Sequence, residues 1–239
     1  MVRLNLPSLK RVWPVKSKKV VLFIVEGPSD QSALSVILSK VFNQNEVFVY
    51  VVHGDVTTEK GVTPQNIVRK VYAFIKDHMS TYRLRKTDML RVVHLMDTDG
   101  AYAPDEAVTE VLTVPKTIYN PGQIIAADRQ KIIDRNERKR ANMDRLALLP
   151  EIAGIPYLAV YMSCNLDHVL YNRLNSYDSD KRKDSIAFAR KYRSNIQEFI
   201  SFINDSDFSV TGGRKETWEY IKIGKNSLDR HTNLGVCFP

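Results

Sequence analysis

The sequence predicts an α/β fold: a central, mostly parallel sheet flanked by helices, with a helical insertion and a helical extension at the C-terminal end. Three observations predict it. Short apolar runs rich in β-branched residues recur at 18–25, 46–52, 89–96 and 155–162. Stretches with helical apolar spacing separate the first three of them. The resulting order, strand–helix–strand–helix–strand, calls for parallel strands joined by right-handed crossovers.

"KKVVLFIV" (18–25) is apolar without alternation, as expected of a strand buried on both faces. "SDQSALSVILSKVF" (29–42) puts Ala33, Val36, Ile37, Leu38 and Val41 near helical spacing, with Ser29 or Asp30 as N-cap. "EVFVYVV" (46–52) is the second strand. "TPQNIVRKVYAFIKDHM" (63–79) opens with Thr63 as cap and Pro64 at the first helical position, then runs amphipathically through Ile67, Val68, Val71 and Phe74. "MLRVVHLM" (89–96) is the third strand. His53 and His94, beside or within these strands, read as buried structural histidines.

Regularity then fades. Residues 100–123 carry three prolines and read as loop with short elements, and 124–149 as a long charged helix inserted before the strand at 155–162. From Asn165 onward the pattern is helical, through 184–203 and 215–223. The division that follows is a basic extension at 1–17, a catalytic core at 18–164 that includes the insertion, and a helical region at 165–239.

The totals narrow the class. In 239 residues, 44% are hydrophobic, enough for a real core and too many for a disordered chain. No apolar run approaches the roughly 18 residues of a membrane span, and residues 1–17 lack a signal-peptide apolar region and cleavage site. A cytoplasmic protein with no membrane partner is expected. Two distant cysteines, Cys164 and Cys237, exclude a disulfide scaffold and argue against a structural zinc site. A net charge of +8 favours polyanionic partners, nucleic acid before membrane. The charge is concentrated in "RQKIIDRNERKR" (129–140) and "KRKDSIAFARKYR" (181–193), which are either solvated helix faces or contacts to a phosphate backbone. Arg129, Lys131, Arg135, Arg138, Lys139 and Arg140 in the first run, and Lys181, Arg182 and Lys183 in the second, are the candidate contacts.

The chemistry is announced where strands end. Glu26 follows the first strand directly, and Asp97 and Asp99 follow the third. In an open parallel sheet all three fall on the carboxyl edge, where ligands bind. Asp30 lies four residues beyond Glu26, in the first turn of the following helix, where it either caps the helix or joins the cluster. Unneutralised, such carboxylates repel one another and raise each other's pKa values. A hard divalent cation, Mg²⁺ or Mn²⁺, is the usual remedy. If "DTD" is extended, Asp97 and Asp99 point to one side and Thr98 to the other. Gly27 and Gly100 allow tight turns beside the carboxylates and room for a phosphate. After the last strand, Asn165 reads as a helix cap, with Asp167 and His168 on the same edge.

"VLFIVEGPSDQSAL" followed some 70 residues later by "VVHLMDTDG" resembles the TOPRIM domain of topoisomerases, primases and OLD-type nucleases. The Glu-Gly-x-x-Asp form is most similar to the OLD type and to stand-alone TOPRIM nucleases of bacterial phage defence, among them the nuclease subunit that pairs with an ABC-type ATPase in the PARIS system. The resemblance covers about 18–100 and the 155–162 strand. It implies a TOPRIM-like, Rossmann-like core. It makes Glu26 a general acid/base or metal-linked carboxylate, Asp97 and Asp99 Mg²⁺ ligands, and Asp30 a ligand of a second metal. Gly54 matches the family's intermediate glycine, Asp55 beside it is a further possible ligand or a turn aspartate, and Asp167 loosely matches an acidic position after the last strand. The chain is too short for a topoisomerase or primase apparatus. A Mg²⁺-dependent nuclease remains, with RNA such as tRNA favoured over DNA, acting as the toxic effector of an anti-phage system. An ABC-type ATPase partner and a homo-oligomer are both compatible with it, and the absence of a Walker A pattern puts any ATP-driven switch in another chain. Two alternatives stand: a silent TOPRIM-like regulatory subunit, and a phosphatase of the haloacid-dehalogenase type built on "MDTDGAY".

Overall fold

The computed structural model describes residues 18–42, 47–54 and 56–238. The basic extension at 1–17 and Asp55 lie outside the described residues.

The core is a five-stranded sheet. Strand β1 (Lys19–Val25) leads into helix α1 (Pro28–Val41), then β2 (Val47–His53), α2 (Ile67–Thr81) and β3 (Met89–Asp97). A small three-stranded sheet follows, β4 (Val108–Glu110), β5 (Ile118–Asn120) and β6 (Gln123–Ala126), and then α3 (Arg129–Ala147). Strands β7 (Glu151–Ile152) and β8 (Ile155–Met162) complete the main sheet in the order β2-β1-β3-β8-β7. The β1/β2, β1/β3 and β3/β8 pairs are parallel, and only the short β7 runs antiparallel to β8. Helices α4 (Leu166–Tyr171), α5 (Asp178–Tyr192), α6 (Ile196–Asn204) and α7 (Arg214–Ile221) end the chain.

Strand alternation explains the layering. Val20, Leu22 and Ile24 of β1, Val92 and Met96 of β3, and Tyr157, Ala159 and Tyr161 of β8 face one side. There they pack with Ile67, Val71 and Ile75 of α2, Met143 and Leu146 of α3, and Trp218 of α7. Val21, Phe23 and Val25, Val93 and Leu95, and Leu158, Val160 and Met162 face the other side, against Leu34 and Ile37 of α1, Phe188 of α5 and Phe199 of α6. Both faces of the central strands are therefore covered, as their unbroken apolar sequences require. Residues 166–238 contribute to both cores.

Several expectations shift in detail. Gly27 is the N-cap of α1; Asp30 sits at the third helical position and accepts the Gly27 amide at 2.8 Å. Val36 is exposed and Leu34 takes its place inside. Helix α2 starts at Ile67 because Thr63–Asn66 forms a turn, closed by the Thr63 amide on Asn66 Oδ1 at 3.0 Å. The expected helix at 124–149 begins instead as strand β6, whose Ile124 and Ala126 fill a small separate core with Leu228. The helix expected at 184–203 is two helices, broken between Tyr192 and Ile196, where Asn195 caps α6. His94 is buried, its Nδ1 2.8 Å from the Tyr157 hydroxyl. His53 is instead exposed at the end of β2, Nδ1 3.0 Å from Gln31 Oε1.

Candidate functional site

The chain leaves β1 towards β2 on one side, then crosses back to lay β3 on the other. The carboxyl ends of β1 and β3 thus flank a point where strand order reverses, the place in open α/β sheets where a crevice forms. Glu26 follows β1 and Asp97 closes β3, and the two are joined: the Asp97 amide donates to Glu26 Oε1 at 3.1 Å. Asp30 reaches the same crevice from the first turn of α1, and Asp167 from the first turn of α4. A cavity of about 220 Å³ opens there, lined by Glu26, Asp30, Asp97 and Asp167 together with Asn165 and Lys181. Asn165 is also the cap, accepting the His168 amide at 2.9 Å. The cap reading of that segment holds, and Asp167, but not His168, lines the cavity.

The carboxylates carry a high electrostatic cost. Burial, aided by the charge of Asp167, pushes the Asp30 carboxyl up to about 6, against the lowering pull of the Gly27 amide and Ser29 hydroxyl. Asp97 is held well above the usual carboxylate range, first by burial and then by the charges of Glu26, Asp30 and Asp99. Asp167 is raised by burial too, with Lys181 opposing; the Lys181 ammonium lies 3.9 Å from its Oδ2. Burial leads each of these shifts; other carboxylates add to it at all three, and Lys181 opposes it at Asp30 and Asp167.

Asp99 is not placed as strand alternation would have it. Its φ of +47° turns the chain out of the strand, with its amide on Cys164 O at 2.7 Å, so its carboxylate does not line the cavity beside Asp97. Gly100 continues the turn at φ +68°, where a Cβ would stand 2.4 Å from Leu228; glycine is required there. Thr98 does point away. It is fully buried, its hydroxyl donating to Ser227 O at 2.9 Å and accepting the Cys164 amide at 2.8 Å. That clamp ties the ends of β3 and β8 to the C-terminal segment.

The largest departure concerns α3. Lys139 has a wholly buried side chain whose ammonium lies 2.5 Å from Asp99 Oδ2 and 3.3 Å from Glu26 Oε1. One turn earlier, Arg135 donates to Asp99 O at 2.9 Å and to the Tyr119 hydroxyl at 2.6 Å. One turn later, Asn142 donates to Thr57 O at 3.0 Å, and the buried Thr57 hydroxyl is 3.5 Å from Glu26 Oε1. Positions 135, 139 and 142 form one stripe of a helix. That stripe faces the carboxylates instead of solvent, so Lys139 and Arg135 are withdrawn from any polyanion on the surface. Arg129 is likewise spent on Val108 O at 2.9 Å and Asp105 O at 2.6 Å. Lys131 and Arg138 are exposed, and Arg140 is half-buried. On α5, Lys181 is half-buried at the cavity, whereas Arg182 and Lys183 are exposed.

Comparison with protein-family models, with curated proteins and with solved structures returns no match to this chain.

Among the described residues, no three His, Cys, Asp or Glu side chains are gathered as a ready-made ion site. Carboxylate oxygens are the ligand type that a hard divalent cation takes. Four carboxylates line one cavity, and the Asp30 and Asp97 carboxyls are raised first by burial and then by neighbouring carboxylates. Thr57 and the inward turn of Lys139 escaped the sequence reading, as did the partners of the buried Thr98 hydroxyl. An i, i+4, i+7 polar stripe at Arg135, Lys139 and Asn142 was the signal available for Lys139.

Proposed function

We propose that the chain is a Mg²⁺- or Mn²⁺-dependent nuclease of the TOPRIM type, cleaving phosphodiester bonds at the crevice between β1 and β3. The observation that carries this reading is the convergence of Glu26, Asp30, Asp97 and Asp167 on one cavity at the strand-order reversal. An ion in that cavity would draw its oxygen ligands from among Glu26, Asp30, Asp97 and Asp167. Bound there, it would supply charge neutralisation to the scissile phosphate and lower the pKa of an attacking water.

The remaining work falls to the protein. Glu26, fixed by the Asp97 amide and the Lys139 ammonium, takes the proton from the attacking oxygen as the new P–O bond forms. It can return that proton to the leaving oxygen as the old bond breaks. Lys139 and Arg135 hold Asp99 and Glu26 in place, so the inserted helix acts as a brace for the site. The resemblance of "FIVEGPSD" and "VVHLMDTDG" to phage-defence TOPRIM nucleases supports a cytoplasmic toxic effector acting on RNA such as tRNA, alongside an ABC-type ATPase partner. A dehalogenase-type phosphatase is served less well, because Asp99 turns to Lys139 instead of facing the cavity with Asp97. The reading of a silent regulatory subunit draws support from the same Lys139, which already neutralises part of the carboxylate cluster.

Incubating the purified chain with tRNA, single-stranded RNA and duplex DNA, with Mg²⁺ or Mn²⁺ and with EDTA, tests the proposal. Metal-dependent cutting that disappears in Glu26→Gln is expected. Absence of cutting while the ion binds would favour the regulatory subunit.

A further inference from the structure

The carboxylate cavity does not end at Asp167. A second cavity, of about 330 Å³, adjoins it and shares Ser29 and Lys181 with it. Its other walls include Pro28 and Ser32 from the start of α1 and Asp178 and Arg182 from the start of α5. The character of the wall changes from one cavity to the next: four carboxylates in the first, two cations against one carboxylate in the second. Helices α1 and α5 pack directly on each other, so the position of Lys181 and Arg182 over the entrance is set by the core that Phe188 and Tyr192 build below them.

We infer that this second cavity is a phosphate subsite, taking the backbone phosphate next to the scissile one, so that the substrate strand crosses α5 and not α3. The inference rests on the proposed phosphodiesterase reading and adds the path of the polyanion. Three features carry it. The cavity is continuous with the carboxylate site, so a strand with one phosphate there has its neighbour within reach. Arg182 is exposed and makes no ion pair among the described residues, although Asp178 lies one turn before it on the same helix. Half of the basic run on α3 is directed elsewhere: Arg129, Arg135 and Lys139 are bound to backbone carbonyls, Tyr119, Glu26 and Asp99, which leaves Lys131, Arg138 and Arg140. Lys181, shared by both cavities, bridges the acidic site and the basic one.

The test is binding of fluorescein-labelled single-stranded RNA and DNA oligonucleotides, across a salt series, in a Glu26→Gln background that leaves the strand uncut. Arg182→Ala and Lys181→Ala should each weaken binding and reduce the slope of log K against log salt by about 0.7, the value for one phosphate contact to a single strand. Lys131→Ala and Arg138→Ala, on the exposed face of α3, should leave affinity and slope unchanged. Loss of binding in the α3 variants with none in the α5 pair would overturn the inference, as would absence of oligonucleotide binding altogether. Failure of the wild type to cut, with binding still dependent on Arg182, would remove the nuclease reading and leave the subsite standing. Cutting whose KM is unaffected by Arg182→Ala would do the reverse.

Discussion

Asp30 performs two tasks with one carboxylate. Its Oδ2 accepts the Gly27 amide and completes the first turn of α1, and the same group lines the candidate site. A sequence reading that offers cap or ligand as alternatives misses that the third helical position permits both. The group also makes stability depend on pH. With a folded-state pKa of about 6 against 3.8, folded Asp30 keeps its proton over an interval where the unfolded chain has lost it. Its contribution is therefore full below about pH 4 and is lost as pH rises through about 6, a change of about 3 kcal/mol. Asp30→Asn keeps an oxygen for the Gly27 amide and removes the charge. Urea unfolding without divalent cations should show the variant close to wild type at about pH 4 and more stable at about pH 8. A variant less stable than wild type at the higher pH would mean that the carboxylate is satisfied as it stands.

At the scale of elements, the four long strands of the main sheet were legible from their apolar, β-branched runs, which for β1, β3 and β8 reflect burial on both faces. The carboxyl edge was legible for the same reason: Glu26 and Asp97 are the first charges after those runs. Helix α3 was legible as a helix and misread in orientation. A stretch with six Arg/Lys in twelve residues looks solvated from end to end, and only tertiary contact reveals that Lys139 is among the largest fully buried side chains of the described residues. Strand β6 was hidden for a different reason. Four residues whose partners are three-residue strands carry no periodicity of their own. The buried lysine gives the element a measurable role. Lys139→Met leaves Glu26 and Asp99 without their shared cation and should destabilise the fold by about 3 kcal/mol, the lower end for breaking a buried ion pair. The lower end applies because Glu26 and Asp99 keep 14% and 25% exposure. Adding Glu26→Gln to that variant should cost less than the sum of the two, read from urea midpoints as a coupling. A loss below about 1 kcal/mol, typical of an exposed pair, would show that Lys139 is not a structural counter-ion.

Over the whole molecule, the layered fold puts helices on both faces of a sheet and leaves only its edges and ends open. The chain reverses direction across β1, the crevice forms between β1 and β3, and four carboxylates from β1, α1, β3 and α4 meet there. No helix among the described residues is long and apolar enough to cross a membrane. The C-terminal third supplies Asp167, Lys181 and the clamp on Thr98, so the cavity is not complete within the segment that resembles TOPRIM. Sequence motifs mark where strands end; they do not record which distant side chains the packing brings to that end. The central claim is that these carboxylates form a cation-dependent phosphodiesterase centre, and Asp97→Asn tests it most directly. Cleavage of the RNA and DNA panel should require Mg²⁺ or Mn²⁺ and vanish in Asp97→Asn, while the melting temperature of the cation-free variant equals or exceeds that of the wild type, since a repelling charge has been removed. Cleavage that survives the substitution, or a variant that fails to fold, would contradict the account.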